Sequence, residues 1–482
     1  MHEVITLSFS QRSNHLTTHF YNLQEARLYD EGQLKTVDNK IHLACKQASD
    51  GRSSNYYPRA LLWDYFNGFG ALSRYEYFEP KANVDELGRG FGSNLQMSEK
   101  LVKNAYQDAL DKGGATKDLA DQSEMKYWSD FSRVIYRPES LLRLDKWEYS
   151  FDSQKGHLRS HPEIQFDDYS VGVEEFSEDQ EAGIDAVEDN FRKMIEDCDN
   201  VNGLNAITES DSAWGGFSDQ FLTIIRDEYL PKAPVLIWSL TDDIIETDLS
   251  IAKQMSRIKT LVGLVANASL YMPISTKPTI LPDWVDDDGP ASNWQISSYQ
   301  VVPFEFVNSL AIQLQNRTSL NEFAGGLTGD NSDRNIVSDI GLEEGQLSCT
   351  NIFKSLKKMQ SSHVFGKSVI RKGKKEEKEG DPFAFEKLKE YGTSEMSLRF
   401  YDSSMPFNNH LDSFPRRFRE LKNPFRWCSY QITNKPRNAL QQMLDFVSRY
   451  CRDDEREESK EQLAWMKEQY EWGYEDDESE YD

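Results

Sequence analysis

The sequence has few cysteines and no long apolar run. Its five cysteines are odd in number, and no two of them lie at the spacing of metal ligands. This usage is typical of a reduced, cytosolic protein and argues against a disulfide framework. The best apolar run, APVLIWSL, has eight residues, which is too short to cross a bilayer. We therefore expect no transmembrane segment, so that any membrane association would depend on a partner or a surface patch.

Positive charge is also scarce. The chain has 81 acidic and 55 basic residues, which gives a formal net charge of −26. This balance argues against direct contact with nucleic acid, because phosphate backbones require Lys and Arg, and it disfavours adhesion to anionic lipid. No Lys or Arg precedes Arg12, so the N-terminus resembles neither a secretory signal nor a mitochondrial presequence. These features predict a cytoplasmic protein.

Short apolar runs alternate with stretches of helical periodicity. EVITLSF, RALLWDY and PVLIWSL predict buried strands of a parallel sheet. Apolar residues at helical spacing predict helices over 13–29, 181–199 and 218–230, with Ser13 and Ser218 as N-caps of the first and third. This alternation predicts an α/β fold with helices on both faces of the sheet.

Four segments carry a resemblance to a known superfamily. YYPRALLWDYFNG (56–68) matches the tubulin pattern Y-x-P-R-A-x-x-x-D-x-x-x-G, and the opening matches M-x-E followed by G-Q-C-G-N-Q through Glu3, Gln11 and Asn14. EDCDNVNGL (196–204) resembles the tubulin stretch S-C-D-x-x-Q-G-F. DSAWGGFSDQFLTIIRDEYLP stands where tubulins carry G-G-G-T-G-S-G and a helix ending I-R-E-E-Y-P. The chain is therefore similar to the tubulin/FtsZ superfamily.

Three segments of the sequence resemble the Misato branch of this superfamily, whose fungal members are linked to mitochondrial DNA inheritance. The opening, YWSDFSR (127–133) and WGGFSDQF carry this finer likeness. The resemblance implies a tubulin-like architecture and a cytoplasmic role in mitochondrial partitioning, morphology and DNA inheritance. It divides the chain into a nucleotide-binding-type domain with a parallel sheet (1–245), an intermediate α/β domain (246–370), a charged linker (371–381), a mostly helical C-terminal region (382–451) and an acidic tail (452–482).

The resemblance also places a nucleotide site. Its residues, if the site is retained, are Gln11, Arg12, Asn14, Asp64, Gly215, Gly216 and Ser218. Tubulins hold GTP phosphates with glycine-rich turns, because a Cβ would block the approach of the backbone to the phosphate. Here the first turn, SFSQRSN, has no glycine, and the second keeps only two. The acid that helps to hold the metal water in tubulins is replaced by Phe66.

These losses predict a protein without catalytic residues, metal site or required cofactor, although binding of GTP with magnesium stays open. Hydrolysis in tubulins needs a downstream N-x-D-x-x-E/D loop, and the nearest candidate, NSDRNI (331–336), has Ile336 at the acidic position. We therefore favour a non-enzymatic factor acting through protein partners, at the mitochondrial surface or among cytoskeletal subunits. The alternatives are a self-assembling GTPase and an adaptor or chaperone-like factor that binds tubulin.

Other segments receive simpler interpretations. His15 and His19 are predicted to be surface histidines rather than a metal pair, and AGGLTGD (324–330) and GRGFGS (88–93) to be surface loops. The acidic stretch 160–190 is predicted to be a solvated loop leading into a helix.

The tail has two parts. REESKEQLAWMKEQYEW predicts a short helix with Leu463, Met466 and Tyr470 on one side, which docks on the body or on a partner helix. YEDDESEYD is predicted to be disordered. The tail either keeps the protein soluble or recruits basic partners.

Overall fold

The structure is a computed structural model. It describes residues 2–30, 32–47, 54–74, 103–114, 116, 119–120, 125–179, 181–241, 249–275, 292–342, 347–348, 363–372, 397–403, 405–421, 425–452 and 456–472. GRGFGS and YEDDESEYD, for which loops or disorder were predicted, lie outside these ranges.

A parallel sheet of six strands lies at the centre of the N-terminal half, in the order β11-β10-β9-β1-β4-β5. Its strands are β1 (Glu3–Phe9), β4 (Ala60–Tyr65), β5 (Leu141–Leu144), β9 (Val201–Glu209), β10 (Val235–Thr241) and β11 (Leu270–Ser275). The three strands predicted from apolar runs are confirmed as β1, β4 and β10. Their side chains are buried throughout, as expected for a sheet covered on both faces.

Helices cover this sheet and extend beyond it. They are α1 (Gln11–Arg27), α2 (Ala105–Asp111), α3 (Tyr169–Glu178), α4 (Arg192–Glu196, after a π-helical turn at Ala186–Phe191), α5 (Trp214–Glu228), α6 (Ile251–Asn267), α7 (Asn293–Ala311), α8 (Leu320–Thr328), α9 (Arg416–Arg419), α10 (Lys435–Tyr450) and α11 (Arg456–Glu468). Among the described residues, no helix is both long and apolar enough to span a membrane.

Two helices begin earlier than the sequence predicted. Ser10, not Ser13, caps α1, because the Ser10 hydroxyl accepts the backbone N–H of Ser13. Helix α5 begins at Trp214, so the predicted cap Ser218 lies inside the helix, where its hydroxyl donates to Thr208 Oγ1 over 3.0 Å. Both glycines of WGGF therefore belong to the first turn of α5 rather than to a loop before it.

A second sheet has the order β13-β12-β16-β14-β15. Its strands are β12 (Asp339–Leu342), β13 (Leu347–Ser348), β14 (Val364–Lys372), β15 (Ser397–Ser403) and β16 (Trp427–Thr433). The C-terminal region thus contributes strands as well as helices, since β15 and β16 pair with β14. The predicted linker begins too early, because Arg371 and Lys372 end strand β14.

Smaller sheets flank the central one. Strands β2 (Leu43–Gln47) and β3 (Ser54–Pro58) pair with each other, and β6 (Trp147–Ser150), β7 (Lys155–Leu158) and β8 (His161–Gln165) form a three-stranded antiparallel sheet. The stretch predicted as a solvated acidic loop therefore begins with an exposed strand, β8, and continues into α3.

The phosphate-loop lookalike AGGLTGD is not a surface turn. Residues 324–328 form the end of α8, which begins with a capping box between Ser319 and Glu322. Ala324 and Leu327 are buried, and Gly329, at φ 64°, ends the helix. The glycines made this segment resemble a loop, although the capping box before it is typical of a helix.

The predicted tail helix is confirmed as α11. Leu463, Met466 and Tyr470 are buried against the body of the protein. The Tyr470 hydroxyl accepts the backbone N–H of Ile336 over 2.8 Å, which attaches the end of this segment to the loop before β12.

Helix α7 carries a buried cluster of charges. Glu305 is fully buried and contacts Arg27 of α1, Gln24 of α1 and Lys372 of β14, with Lys372 Nζ 2.8 Å from its Oε1. Burial alone would raise the pKa of Glu305, but Arg27 and Lys372 overcome it and hold that pKa below its usual value. Burial lowers the pKa of Lys372 to about 8, although Glu305 opposes the shift. The cluster joins the two halves of the molecule around α7.

Replacement of Glu305 should therefore destabilise the fold strongly. Glu305→Gln leaves two buried cations without their carboxylate, and we expect the free energy of unfolding to fall by about 3–5 kcal/mol in urea titrations. Glu420→Gln is the matched control, because it removes an exposed partner of Arg416. We expect that control to change stability by less than about 1 kcal/mol. Similar losses in both variants would show that Glu305 does not hold the two cations.

Candidate functional site

The predicted site residues gather at one edge of the central sheet. Strands β1, β4 and β9 are parallel neighbours, so their carboxyl ends meet at this edge, where α1 and α5 begin. Gln11, Arg12 and Asn14 lie on the first turn of α1, and Asp64 lies near the end of β4. Of these four residues, Asn14 contacts Asp64 directly, donating to its Oδ2 over 3.3 Å. The glycines and Ser218 lie on α5, whose aromatic side chains pack on Phe9 of β1 and Trp63 of β4.

Arg12 is paired within the chain. Its Nη2 lies 3.1 Å from Glu209 Oε2 and 3.2 Å from Asp211 Oδ1, so the guanidinium bridges the turn after β1 and the turn after β9. Burial raises the pKa of Glu209, and Arg12 opposes this shift. Two carboxylates thus hold the cation that could otherwise have met a phosphate. Glu209 was missed from the sequence, because it reads as the polar end of a strand.

Asn14 and Asp64 belong to a closed hydrogen-bond network. Asn14 accepts from the Ser8 hydroxyl over 2.7 Å and donates to the Trp63 carbonyl and to Asp64 Oδ2. Asp64 also accepts the indole N–H of Trp128 over 2.7 Å and the backbone N–H of Tyr65. Burial raises the pKa of Asp64 to about 7, and these three donors limit the shift.

The tubulin-like spacing D-x-x-x-G has a packing explanation here. A Cβ on Gly68 would lie 2.1 Å from Asp64 Oδ1, so only glycine fits beside that carboxylate. Phe66, just after β4, contacts the guanidinium of Arg159 at 3.9 Å from the ring centre and that of Arg143 at 5.1 Å. An aromatic ring packed against two cations therefore follows this strand.

The two glycines of α5 are also required by packing. A Cβ on Gly216 would lie 2.0 Å from the Tyr169 carbonyl oxygen, and one on Gly215 would lie 2.4 Å from Thr260 Cγ2. The glycines therefore let α5 approach α3 and α6 closely. Trp214, beside them, is fully buried and donates its indole N–H to Tyr65 Oη over 2.7 Å. The first turn of α5 is therefore packed closely against its neighbours, with the Trp214 indole buried beside the two glycines.

One face of α1 continues from the site into a stack of rings. His15 and His19 are buried rather than exposed, which corrects their prediction as surface residues. The ring of Trp294, at the start of α7, lies between His19 at 3.5 Å and Phe131 at 3.8 Å, measured between ring centres. Burial lowers the pKa of His15 to about 3 and that of His19 well below its usual value, so both rings are neutral.

The error has a physical cause. A single apolar stripe on α1 predicted one covered face, but α7 and the segment 127–133 cover the helix elsewhere as well. Trp128 and Phe131 of YWSDFSR, which carried the Misato likeness, supply the indole bond to Asp64 and one side of this stack. Their spacing alone did not reveal those roles.

Gln11 differs from Arg12, Asn14 and Asp64 in its hydrogen bonds. Its side chain is 2% exposed, and neither polar atom of its amide has a hydrogen-bond partner among the described residues. The described parts of the chain also contain no group of three or more His, Cys, Asp or Glu side chains placed to hold a metal ion.

The downstream loop is covered by the chain itself. Asn331 Nδ2 donates to Gln469 Oε1 over 3.2 Å, and Ile336 is buried beneath Tyr470. Both residues therefore have contacts with the segment that follows α11.

The parallel six-stranded sheet, the turns at its carboxyl edge and the second sheet beyond α7 define a tubulin-like protein. A family model described as a tubulin domain matches residues 118–314, and a model of the Misato segment II tubulin-like domain matches residues 2–112. The protein DML1 of Debaryomyces hansenii is 31% identical over 504 residues and covers 100% of both chains. The chain belongs to the Misato family.

Other fungal relatives support this assignment. The protein DML1 of Kluyveromyces lactis is 29% identical over 513 residues, again covering 100% of both chains. The protein DML1 of Scheffersomyces stipitis is 36% identical over 288 residues, which are 58% of this chain and 57% of that protein.

The packing role of Gly216 can be tested without any ligand. We expect Gly216→Ala to lower the free energy of unfolding by about 1–3 kcal/mol, because its methyl group meets a backbone carbonyl that cannot rotate away. Gly325→Ala is the control, since a Cβ at that helical position of α8 meets nothing within 4 Å. It should be neutral or stabilising by up to about 1 kcal/mol. Unchanged stability of Gly216→Ala would refute the packing explanation.

The raised pKa of Asp64 predicts a pH dependence of stability. Between about pH 4 and pH 7 the unfolded chain loses the Asp64 proton while the folded chain keeps it, so this carboxyl reduces stability as the pH rises. Asp64→Asn cannot ionise. We measure the free energy of unfolding of this variant minus that of wild type at each pH. We expect this difference to rise by about 2–4 kcal/mol between pH 4 and pH 7. Asp227→Asn makes the same change on the exposed face of α5 and is the matched control for loss of a carboxylate. An Asp64→Asn profile parallel to that of wild type would contradict the assignment.

Proposed function

We propose that this chain is a non-enzymatic, tubulin-related cytoplasmic factor required for mitochondrial partitioning, mitochondrial morphology and mitochondrial DNA inheritance. The observation that carries the non-enzymatic part is the pairing of Arg12 with Glu209 and Asp211. This pairing satisfies, inside the protein, the charge that a phosphate-binding turn must offer to its ligand.

The electrostatics of the edge support this proposal. A nucleotide triphosphate would bring several negative charges toward Glu209 and Asp211, and would have to displace the bonds that Arg12 already makes. The indole of Trp128 occupies one oxygen of Asp64, so that a metal-bound water would compete with a 2.7 Å hydrogen bond. Neither change alone prevents binding, but both act in the same direction.

The mitochondrial role rests on membership of the Misato family and not on any residue at this edge. A factor of this kind acts through protein partners, either mitochondrial-surface proteins or cytoskeletal subunits. An adaptor or chaperone-like factor that binds tubulin is the non-enzymatic alternative. Co-sedimentation with polymerising tubulin would assign the partner to the cytoskeleton, while its absence would favour a partner on the mitochondrial surface.

One observation favours the alternative, a GTP-binding and self-assembling homologue. The buried amide of Gln11 has no partner among the described residues, and an unpaired amide gains free energy from any ligand that bonds to it. Calorimetric titration of the nucleotide-free protein with GTP and magnesium decides between the two. We expect no binding heat from the wild-type chain. Micromolar binding, lost in Gln11→Leu, would overturn the non-nucleotide proposal.

The same variant tests the cellular role. Gln11→Leu keeps the volume of the side chain and removes the last unpaired polar group of the turn. In cells depleted of this protein, we expect wild type and Gln11→Leu to restore mitochondrial morphology and DNA staining equally. Failure of both would contradict the mitochondrial role. Failure of Gln11→Leu alone, in a folded protein, would mean that function requires a ligand at the turn.

A further inference from the structure

Helix α11 presents an exposed face with its own chemistry. Leu463 and Met466 lie buried on one side of this helix. The opposite side is exposed and carries Glu458, Glu461, Trp465 and Glu468. The Trp465 side chain is 50% exposed, although it is among the most costly to leave in water.

The spacing of these residues forms one stripe. Glu458, Glu461, Trp465 and Glu468 follow one another at intervals of three, four and three residues, the spacing at which side chains line one face of a helix and meet a second helix. The two lysines of the helix lie off this face. Lys460 pairs with Glu457 at 3.0 Å, and Lys467 donates to Gln441 of α10. Gln462 is also exposed beside the stripe and donates to Glu458 over 3.4 Å, so the charged side chains around the indole are all acidic.

We propose that this stripe, Glu458–Glu461–Trp465–Glu468, binds a basic helical segment of a partner protein. A helix laid along α11 would place Lys or Arg side chains against the three carboxylates and one cation or apolar side chain against the indole. Tryptophan is the best of the aromatic rings for cation–π contact and is frequent among the residues that dominate interface energy. The net charge of −26 favours the approach of a basic partner over an acidic one.

The stripe is held in place before any partner arrives. Arg334 Nε donates to the Gln469 carbonyl over 2.6 Å just after α11, and Arg456 Nη2 donates to the Ser448 carbonyl over 2.7 Å at its start. Together with the buried bond of Tyr470, these contacts fix both ends of the helix. A preformed helix loses little conformational entropy on binding. The stripe contains none of the residues at the sheet edge, so its binding to a partner does not depend on GTP at that edge.

The test uses the full chain and a defined probe. The probe is a fluorescein-labelled amphipathic helix of Leu, Lys and Ala, and its twin carries Glu in place of Lys. Fluorescence anisotropy should show binding of the Lys probe and none of the Glu twin. We expect Trp465→Ala and Glu461→Lys each to weaken binding of the Lys probe by about tenfold.

Two control variants separate the stripe from general charge and general apolarity. Tyr29→Ala removes an aromatic side chain that is 76% exposed just after α1, and Glu163→Lys makes the same charge change as Glu461→Lys on the exposed strand β8. Both should bind the probe within about twofold of wild type. Circular dichroism of each variant confirms that its helices are intact.

Three results would overturn the proposal. They are absence of probe binding to the wild-type chain, equal weakening by Glu461→Lys and Glu163→Lys, and unchanged binding to Trp465→Ala. Sedimentation of the chain alone tests another occupant. If it self-associates with rising concentration and Trp465→Ala abolishes this, the stripe binds a second copy and not a basic partner.

Discussion

The buried carboxylate of Glu305 is the constraint that the rest of the structure depends on. It lies on α7, and its cationic partners come from α1, beneath the central sheet, and from β14 of the second sheet. Charges buried this deeply gain little net stability, because removing them from water costs about as much as their attraction returns. Their effect is on geometry, since any shift of α1 or β14 would leave a charge unpaired. The C-terminal end of α1 is thereby fixed, and with it the direction in which its first turn points toward the sheet edge.

At that first turn, the groups that tubulin-type proteins offer to a ligand are largely bonded within the chain. Arg12 is held by two carboxylates, Asp64 by an indole and an amide, and the helix face beyond Gln11 is covered by the Trp294 stack. A polar group that already has a good partner gains little from a second one. These three sets of contacts come from different elements of the fold and act in the same direction.

The sequence predicted the fold better than it predicted the site. Strands β1, β4 and β10 follow from short apolar runs, and helix α11 follows from apolar residues at helical spacing, since both patterns report local burial. Glu209, Trp128 and Trp294 could not be found in this way, because each acts on a residue far away in the chain. Lys372 shows the same limit. Its charged neighbours predicted a linker, and only the position of Glu305 on another element explains why a lysine is buried there.

The surviving family residues also have to be explained without a ligand. Gly68 lies against the Asp64 carboxylate, and Gly216 lies against the Tyr169 carbonyl, so each position excludes a Cβ for reasons internal to the fold. Retention of these glycines is therefore expected whether or not a phosphate ever binds. The informative residue is the one that packing does not require. Gln11 is polar, buried and unpaired among the described residues, and a leucine would fill the same volume. Packing does not explain an amide at that position, so the question of a retained ligand rests on Gln11 rather than on the glycines.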